Sequence, residues 1–261
     1  MAHSFSLSLV AADMLLEHLK LGKAPFPFQI PHMGTTHEQR AQVREAVFRD
    51  LEGRDLVRRG RVDADVQLAL ETFVRSPLAI TAAAQLDKGG ELFARASSDG
   101  QFAVVVKQDG NLLKFEESRP TNFVSAIVDL LPLTPPAPGQ SVTVAKPAPR
   151  RPRHAAGGAD AYDPFANVAA PRSQSASQER AVARLFEKPK TGIGQFTPFA
   201  LDRDGKPANL GLLAWFDTED GRYFCTQRSA EDGQQWLTYA PGDNARLAQQ
   251  LYAQLEPYLQ R

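Results

Sequence analysis

The sequence is poor in metal and redox ligands. Cys225 is the only cysteine among 261 residues, so no intrachain disulfide can form and nothing calls for an oxidising compartment. One thiol also cannot build a structural zinc site. Histidine is scarce too: there are five, and His32 and His37, which lie near Glu38, are not at a helical ligand spacing. Net charge is missing, because 30 Lys and Arg balance 30 Asp and Glu. That argues against a nucleic-acid binder, which needs a basic face to displace counterions. No apolar run approaches the ~18 residues of a membrane-spanning helix. The start, MAHSFSLSLVAADMLL, has no basic n-region and soon meets Asp13 and Glu17, so it does not read as a signal peptide. A cytosolic location without membrane insertion is the expectation.

What is present is an ordinary globular composition, 43% hydrophobic and 23% charged, long enough for one large or two small cores. The most organised stretch, residues 191–239, holds four short apolar runs. Asp204-Gly205, Asp220-Gly221 and Asp232-Gly233 separate them. Asp-Gly between apolar runs is a strong hairpin signal, because glycine accepts positive φ and aspartate tolerates it. A four-stranded antiparallel meander is predicted, followed by a helix over 243–259 with Leu247, Leu251, Leu255 and Leu259 on one side.

Upstream, residues 5–10 alternate as a strand and 13–21 suit a helix stopped by Gly22. Pro25, Pro27 and Pro31 hold 24–31 extended, with Phe26 and Phe28 as anchors. Thr36-His-Glu-Gln39 reads as a capping box opening a helix to about Glu52, with Val43, Ala46, Val47 and Leu51 as its apolar stripe. Asp63 caps another helix that ends before Pro77. Strands are then predicted over 78–85, 91–97, 101–108 and 111–117, divided by Gly89-Gly90, Asp99-Gly100 and Asp109-Gly110. A helix over 121–131 follows. Residues 132–173 hold nine of the 19 prolines and few branched aliphatics, so they read as a flexible linker. It carries a basic cluster of Lys146, Arg150, Arg151 and Arg153, and Tyr162, Pro164 and Phe165 as surface pins. A helix over 177–187 leads into the second meander.

The two meanders echo each other. Phe73 corresponds to Phe186, Asp87 to Asp204, Asp99-Gly-Gln-Phe102 to Asp220-Gly-Arg-Tyr223, and Asp109-Gly-Asn to Asp232-Gly-Gln. The predicted fold is α+β: two helix–four-strand–helix units related by a pseudo-two-fold axis, joined edge to edge so that neither meander exposes its edge. The division is 1–131, linker 132–173 and 174–261, within one compact domain.

Residue constellations for catalysis are weak. Gly192-Ile-Gly194 has a helix before it and a strand after it, the reverse of a dinucleotide fingerprint. Cys225 has no histidine in the C-terminal half to activate it. Asp217, Glu219 and Asp220 are accounted for by a turn. Neither an enzyme nor a cofactor is expected.

The ends of the chain carry a further pattern. FSLSLVAADMLLEHLKLGKAPFPF is followed by Gly34-Thr35-Thr36-x-Glu38-x-Arg40. Near the other end come GIGQF, Trp215-Phe-Asp-Thr218, Gly221-Arg-Tyr223 and Trp236-x-x-x-Ala240-Pro241. In this order they resemble the EspG family, chaperones of actinobacterial ESX (type VII) secretion. The resemblance covers most of the chain outside 132–173. It implies the same pseudo-two-fold α+β fold, and binding of helical PE–PPE heterodimers whose hydrophobic tip is masked until export. It places contacts on the central sheet, on the loop between early strands and on the C-terminal helices. Here these are Leu86, Asp87 and Lys88 of a short loop, the sheet aromatics Phe93, Phe196, Phe199, Trp215 and Tyr223, and Leu251 and Leu255. The alternative is a scaffolding module of the same fold that binds another protein, through the basic linker.

Overall fold

A computed structural model of the chain describes residues 4–145, 174–208, 210–229 and 234–259. Ser4–Ser8 forms β1, and α1 begins at once, over Leu9–His18. The helix starts earlier than its sequence suggests because Ser8 caps it, its hydroxyl accepting from the Ala11 amide at 3.1 Å. Helix α2 spans His37–Gly53, strands β2 (Val57–Arg58) and β3 (Arg61–Val62) form a small hairpin, and α3 spans Ala64–Arg75. The first meander is β4 (Leu78–Gln85), β5 (Glu91–Ser98), β6 (Ala103–Asp109) and β7 (Leu112–Ser118), closed by α4 (Phe123–Val128). After β8 (Val142–Ala145) and α5 (Gln174–Glu187) comes the second: β9 (Gly192–Ala200), β10 (Leu213–Thr218), β11 (Gly221–Ser229) and β12 (Gln235–Pro241), closed by α6 (Asn244–Leu259). Pro257 sits inside the last turn of α6.

All of these strands except β2 and β3 form one ten-stranded sheet ordered β1-β7-β6-β5-β4-β9-β10-β11-β12-β8. The meanders meet edge to edge through an antiparallel β4–β9 ladder running from Leu78 opposite Ala200 to Gln85 opposite Ile193. A two-fold axis through the middle of that ladder exchanges β4 with β9, β5 with β10, β6 with β11 and β7 with β12. It also exchanges the edge strands β1 and β8, so the repeat is larger than the sequence suggests: strand, helix, meander, helix.

That corrects the linker boundary. Residues 132–145 are built into the fold: Ala137 is buried, Pro136 bridges to Arg222, and β8 pairs with β12 from Trp236–Ala145 to Tyr239–Val142. The basic cluster and the residues proposed to pin the linker, Tyr162, Pro164 and Phe165, lie outside the described residues.

The two sheet faces are covered differently. On one face α4 and α6 close a continuous core spanning both halves, including Ile80, Leu92, Val105, Phe196, Trp215, Phe224 and Leu251. On the other face the N-terminal half packs α1 and α3 over Leu7, Val104, Val106, Leu113 and Phe115. On the C-terminal half of that face the described residues place α5, over a small cluster of Ala137, Phe216 and Tyr223. Helix α2 forms an outer layer on the N-terminal half. Of its expected stripe only Leu51 is buried, while Val47 and, beside it, Phe48 pack part-buried on the same core.

Candidate partner-binding surface

Several of the residues that carry the family pattern meet in two internal clasps. Around Arg40, the guanidinium donates to Asp13 at 2.9 Å and to Glu17 at 2.7 Å, both on α1, and to the Met33 carbonyl at 2.7 Å. The Arg40 guanidinium beside Glu17 holds that carboxyl below its ordinary range. Thr36 caps α2 by accepting from the Gln39 amide at 3.2 Å. The return arm of the expected capping box is shifted by one residue: the Gln39 side chain accepts from the amide and hydroxyl of Thr35. Gly34 has φ +87°, and a Cβ there would lie 2.9 Å from the Arg40 backbone, so glycine is required by both conformation and space. A cleft of about 720 Å³ beside this clasp is lined by Asp13, Glu17, Phe28 and Arg40, and its Arg40 and carboxylates already satisfy one another.

The second clasp centres on Arg222, which is fully buried. Its guanidinium grips Asp217 in a fork, Nε to Oδ1 at 2.7 Å and Nη2 to Oδ2 at 2.8 Å. It also donates to Asn244 of α6, to the Pro132 carbonyl at 3.1 Å and to the Thr134 hydroxyl at 3.2 Å. Thr134 in turn donates to Asp217 at 3.0 Å. The guanidinium carbon lies 4.8 Å from the Trp215 ring centre. A Cβ on Gly194 would come within 2.4 Å of Ala84 Cβ and 2.9 Å of Trp215, and one on Gly221 within 2.6 Å of the Pro135 carbonyl. The glycines of GIGQF and GRY therefore give room to an indole and to a neighbouring backbone. Asp217 belongs to this buried pair, while Asp220 in the β10–β11 turn accepts from Lys188 at 2.6 Å.

This placement corrects half of the expected contact residues. Phe196, Trp215, Tyr223, Leu251 and Leu255 are all core side chains, none more than 4% exposed. Their strands and helix are apolar because they pack on the chain's own α4, α6 and α5, so these residues are not available to a partner. The remaining five reach the surface. Asp87 and Lys88 are exposed, and Leu86, Phe93 and Phe199 are half-buried. The 86–90 loop is a tight turn in which Asp87 accepts from the Lys88 amide at 2.8 Å and Lys88 adopts φ 59°.

Register puts Phe93 opposite Ala83, Ile193 opposite Gln85 and Phe199 opposite Ala79. Period-two alternation then sends all three to the face shared by α3 and α5. Ile193 is 50% exposed there and Phe186, on α5, 49%. The segment at 24–30 reaches the same face: the Thr81 hydroxyl donates to the Phe26 carbonyl at 3.3 Å. Phe28 is buried as expected, but Phe26 is 65% exposed. The structure thus brings Phe93, Ile193, Phe199 and Phe186 onto one face across the junction of the two halves, with the 86–90 turn at one end. Sequence reasoning missed Ile193. The signal was there: between two glycines that seat Trp215 on one face, the intervening side chain must point to the other.

Chemistry on this face is muted. Cys225 is half-buried, and burial pushes its thiol up, as it pushes Tyr239 up to about 12; a protonated thiol is a poor nucleophile. Arg95 reaches the same face from below, donating to the Phe73 carbonyl at 3.2 Å and to Thr81 at 3.0 Å. Burial pushes it down to about 10, and it serves to tie the C-terminus of α3 to the sheet. Among the described residues no group of three or more His, Cys, Asp or Glu is placed to hold a metal ion, and no helix is long and apolar enough to cross a membrane.

Known proteins add to this geometry. The family model described as the EspG family matches residues 8–253. Among solved structures, the chain is similar to one described as the Mycobacterium tuberculosis type VII secretion system chaperone EspG5 in complex with a PE25–PPE41 dimer. The TM-score is 0.67 at 14% identity, covering 97% of this chain and 96% of that one. No curated protein matches the sequence.

Proposed function

The chain belongs to the EspG family, and from that premise we propose that it is a cytosolic, non-enzymatic chaperone of a type VII secretion system. Its substrate is a helical PE–PPE-type heterodimer, whose hydrophobic tip it masks before export. The observation that carries this reading is the half-covered sheet face. Phe93, Ile193 and Phe199 lie on it with the 86–90 turn at its margin, an apolar strip with a polar rim of the kind that receives an amphipathic helix. The EspG5 structure supports the same role, since that chaperone is described in complex with a PE25–PPE41 dimer.

The test is co-expression with PE–PPE pairs from the same genome, followed by size-exclusion chromatography. A stable complex with one copy of each chain, together with soluble recovery of an otherwise insoluble pair, is expected. Ile193→Asp should abolish the complex without lowering the melting temperature. Recovery of no pair by the wild-type chain overturns the reading. Replacing residues 146–173 by a glycine–serine linker separates the scaffolding alternative, because a sheet-borne site keeps its substrate and a linker-borne one loses it. Removing all of 132–173 would not serve, as it takes β8 and Thr134 with it.

A further inference from the structure

Helix α5 corresponds to α3 in the repeat, but α3 packs on the inner strands β5 and β6 whereas α5 packs on the edge strand β8. Helix α3 buries Val66, Ala69, Leu70, Thr72 and Phe73, whereas no described side chain of α5 is buried. The corresponding phenylalanines show the contrast, Phe73 being 1% exposed and Phe186 49%. The body of α5 lies against β8, and among its described side chains Leu185 and Phe186 reach the aromatic cluster of the sheet. Leu185 packs on the Phe216–Tyr223 cluster, and the Phe186 ring lies 5.6 Å from the rings of both Phe216 and Tyr239. Beyond its end, contacts are ionic and exposed: Lys188 with Asp220 at 2.6 Å, and Lys190 over the rings of Phe186 and Phe216 at 5.3 and 5.7 Å. Such contacts are weak and screened by salt.

Beneath α5 lies a row of aromatic rings. Phe216 and Tyr223 stack at 5.4 Å, with Tyr239 beside them, and the row continues into the half-covered sheet face that carries Ile193. We propose that this row is a helix-binding surface, that α5 is its resident occupant, and that an amphipathic helix of the partner presenting an adjacent leucine–phenylalanine-like pair displaces α5 on binding. The proposal rests on the chaperone reading only in taking the partner to be helical. In cis α5 needs little intrinsic affinity, since its attachment supplies a high effective concentration; a partner helix with a longer apolar stripe wins by adding contacts on Ile193 and Phe199.

The experiment uses the full chain and two readouts. In the free wild-type protein, amides of 181–187 should exchange at least about 100-fold faster than those of α3, while β11 and β12 stay protected. Exchange of α5 as slow as that of α3 overturns the proposal. The second readout is binding of a labelled peptide with the α5 sequence, residues 174–187, to the full chain carrying Leu185→Ser and Phe186→Ser. That variant should keep the wild-type melting temperature within a few degrees and bind the peptide at least about tenfold more tightly than the wild-type chain does. A peptide bearing the same two serines should bind neither. A variant that no longer melts cooperatively makes α5 a core element, and a folded variant that ignores the peptide removes the helix-binding surface; either contradicts the proposal. Because no secretion substrate enters these measurements, they succeed or fail independently of whether PE–PPE pairs are recognised.

Discussion

The two halves of the molecule have the same strand order but finish one sheet face differently. In the N-terminal half α1 and α3 seal that face and α2 adds an outer layer. In the C-terminal half one helix, α5, lies on it among the described residues, with no described side chain buried. Equivalent positions therefore meet different fates: Phe73 is core and Phe186 is half in solvent. A repeat fixes a scaffold, and function is read from where the copies stop matching. The mismatch falls where an apolar strip runs from Phe93 across the β4–β9 junction to Ile193 and on to α5.

Four perturbations separate the halves, and they differ in size. The largest concerns the Arg222 clasp, which has no N-terminal counterpart, since Gln101 stands at the equivalent place and is exposed. Asp217→Ala strands a fully buried guanidinium and should lower unfolding free energy in urea by about 3–5 kcal/mol. A loss near 1 kcal/mol would mean that Asn244, Pro132 and Thr134 alone satisfy the arginine.

Next, Phe73→Ala should cost about 3–5 kcal/mol, as removal of a buried aromatic does, while Phe186→Ala should cost about 1 kcal/mol or less because the ring already faces water. Equal costs in denaturant melts would abolish the distinction between the halves. Smaller again is Thr36→Ala, which removes the cap of α2, the outer layer of the N-terminal side. About 1 kcal/mol is expected, with faster hydrogen exchange confined to the first turns of α2.

The smallest is a pH effect on the same layer. Burial and then Arg44 push the His18 imidazole below its ordinary value of 6.5, and Arg44 lies 2.8 Å from its Nδ1. The folded state refuses a proton that the unfolded chain accepts, so this contribution is complete above pH 6.5 and is lost as pH falls below it. His18→Gln should flatten that part of the stability–pH curve; an unchanged curve would show that other groups govern it.

Much of the fold was legible because turn chemistry is local. Asp99-Gly100 and Asp220-Gly221 mark corresponding hairpins, and the Asp63 and Thr36 caps open α3 and α2 as their sequences suggest. The edge strand β8 was not legible. Its four residues sit among prolines, and only pairing with β12 makes a strand of them. The contact surface was half legible. Apolar residues stand on both faces of β9, one covered and one half-open, so composition could not tell Trp215, seated on Gly192 and Gly194, from Ile193 on the opposite face. The motifs GIGQF, WFDT and GRY misled for a related reason: in this chain they meet around the Arg222 clasp, an internal device.

If the half-covered sheet face is where a substrate binds, hydrogen exchange of the chain with and without a co-purified PE–PPE pair will register it there. New protection is expected over 86–93 and 192–199, with exchange of α5 raised on binding and α4 and α6 unchanged. Protection confined to α4 and α6, with 86–93 and 192–199 unaltered, would contradict a substrate site on that face.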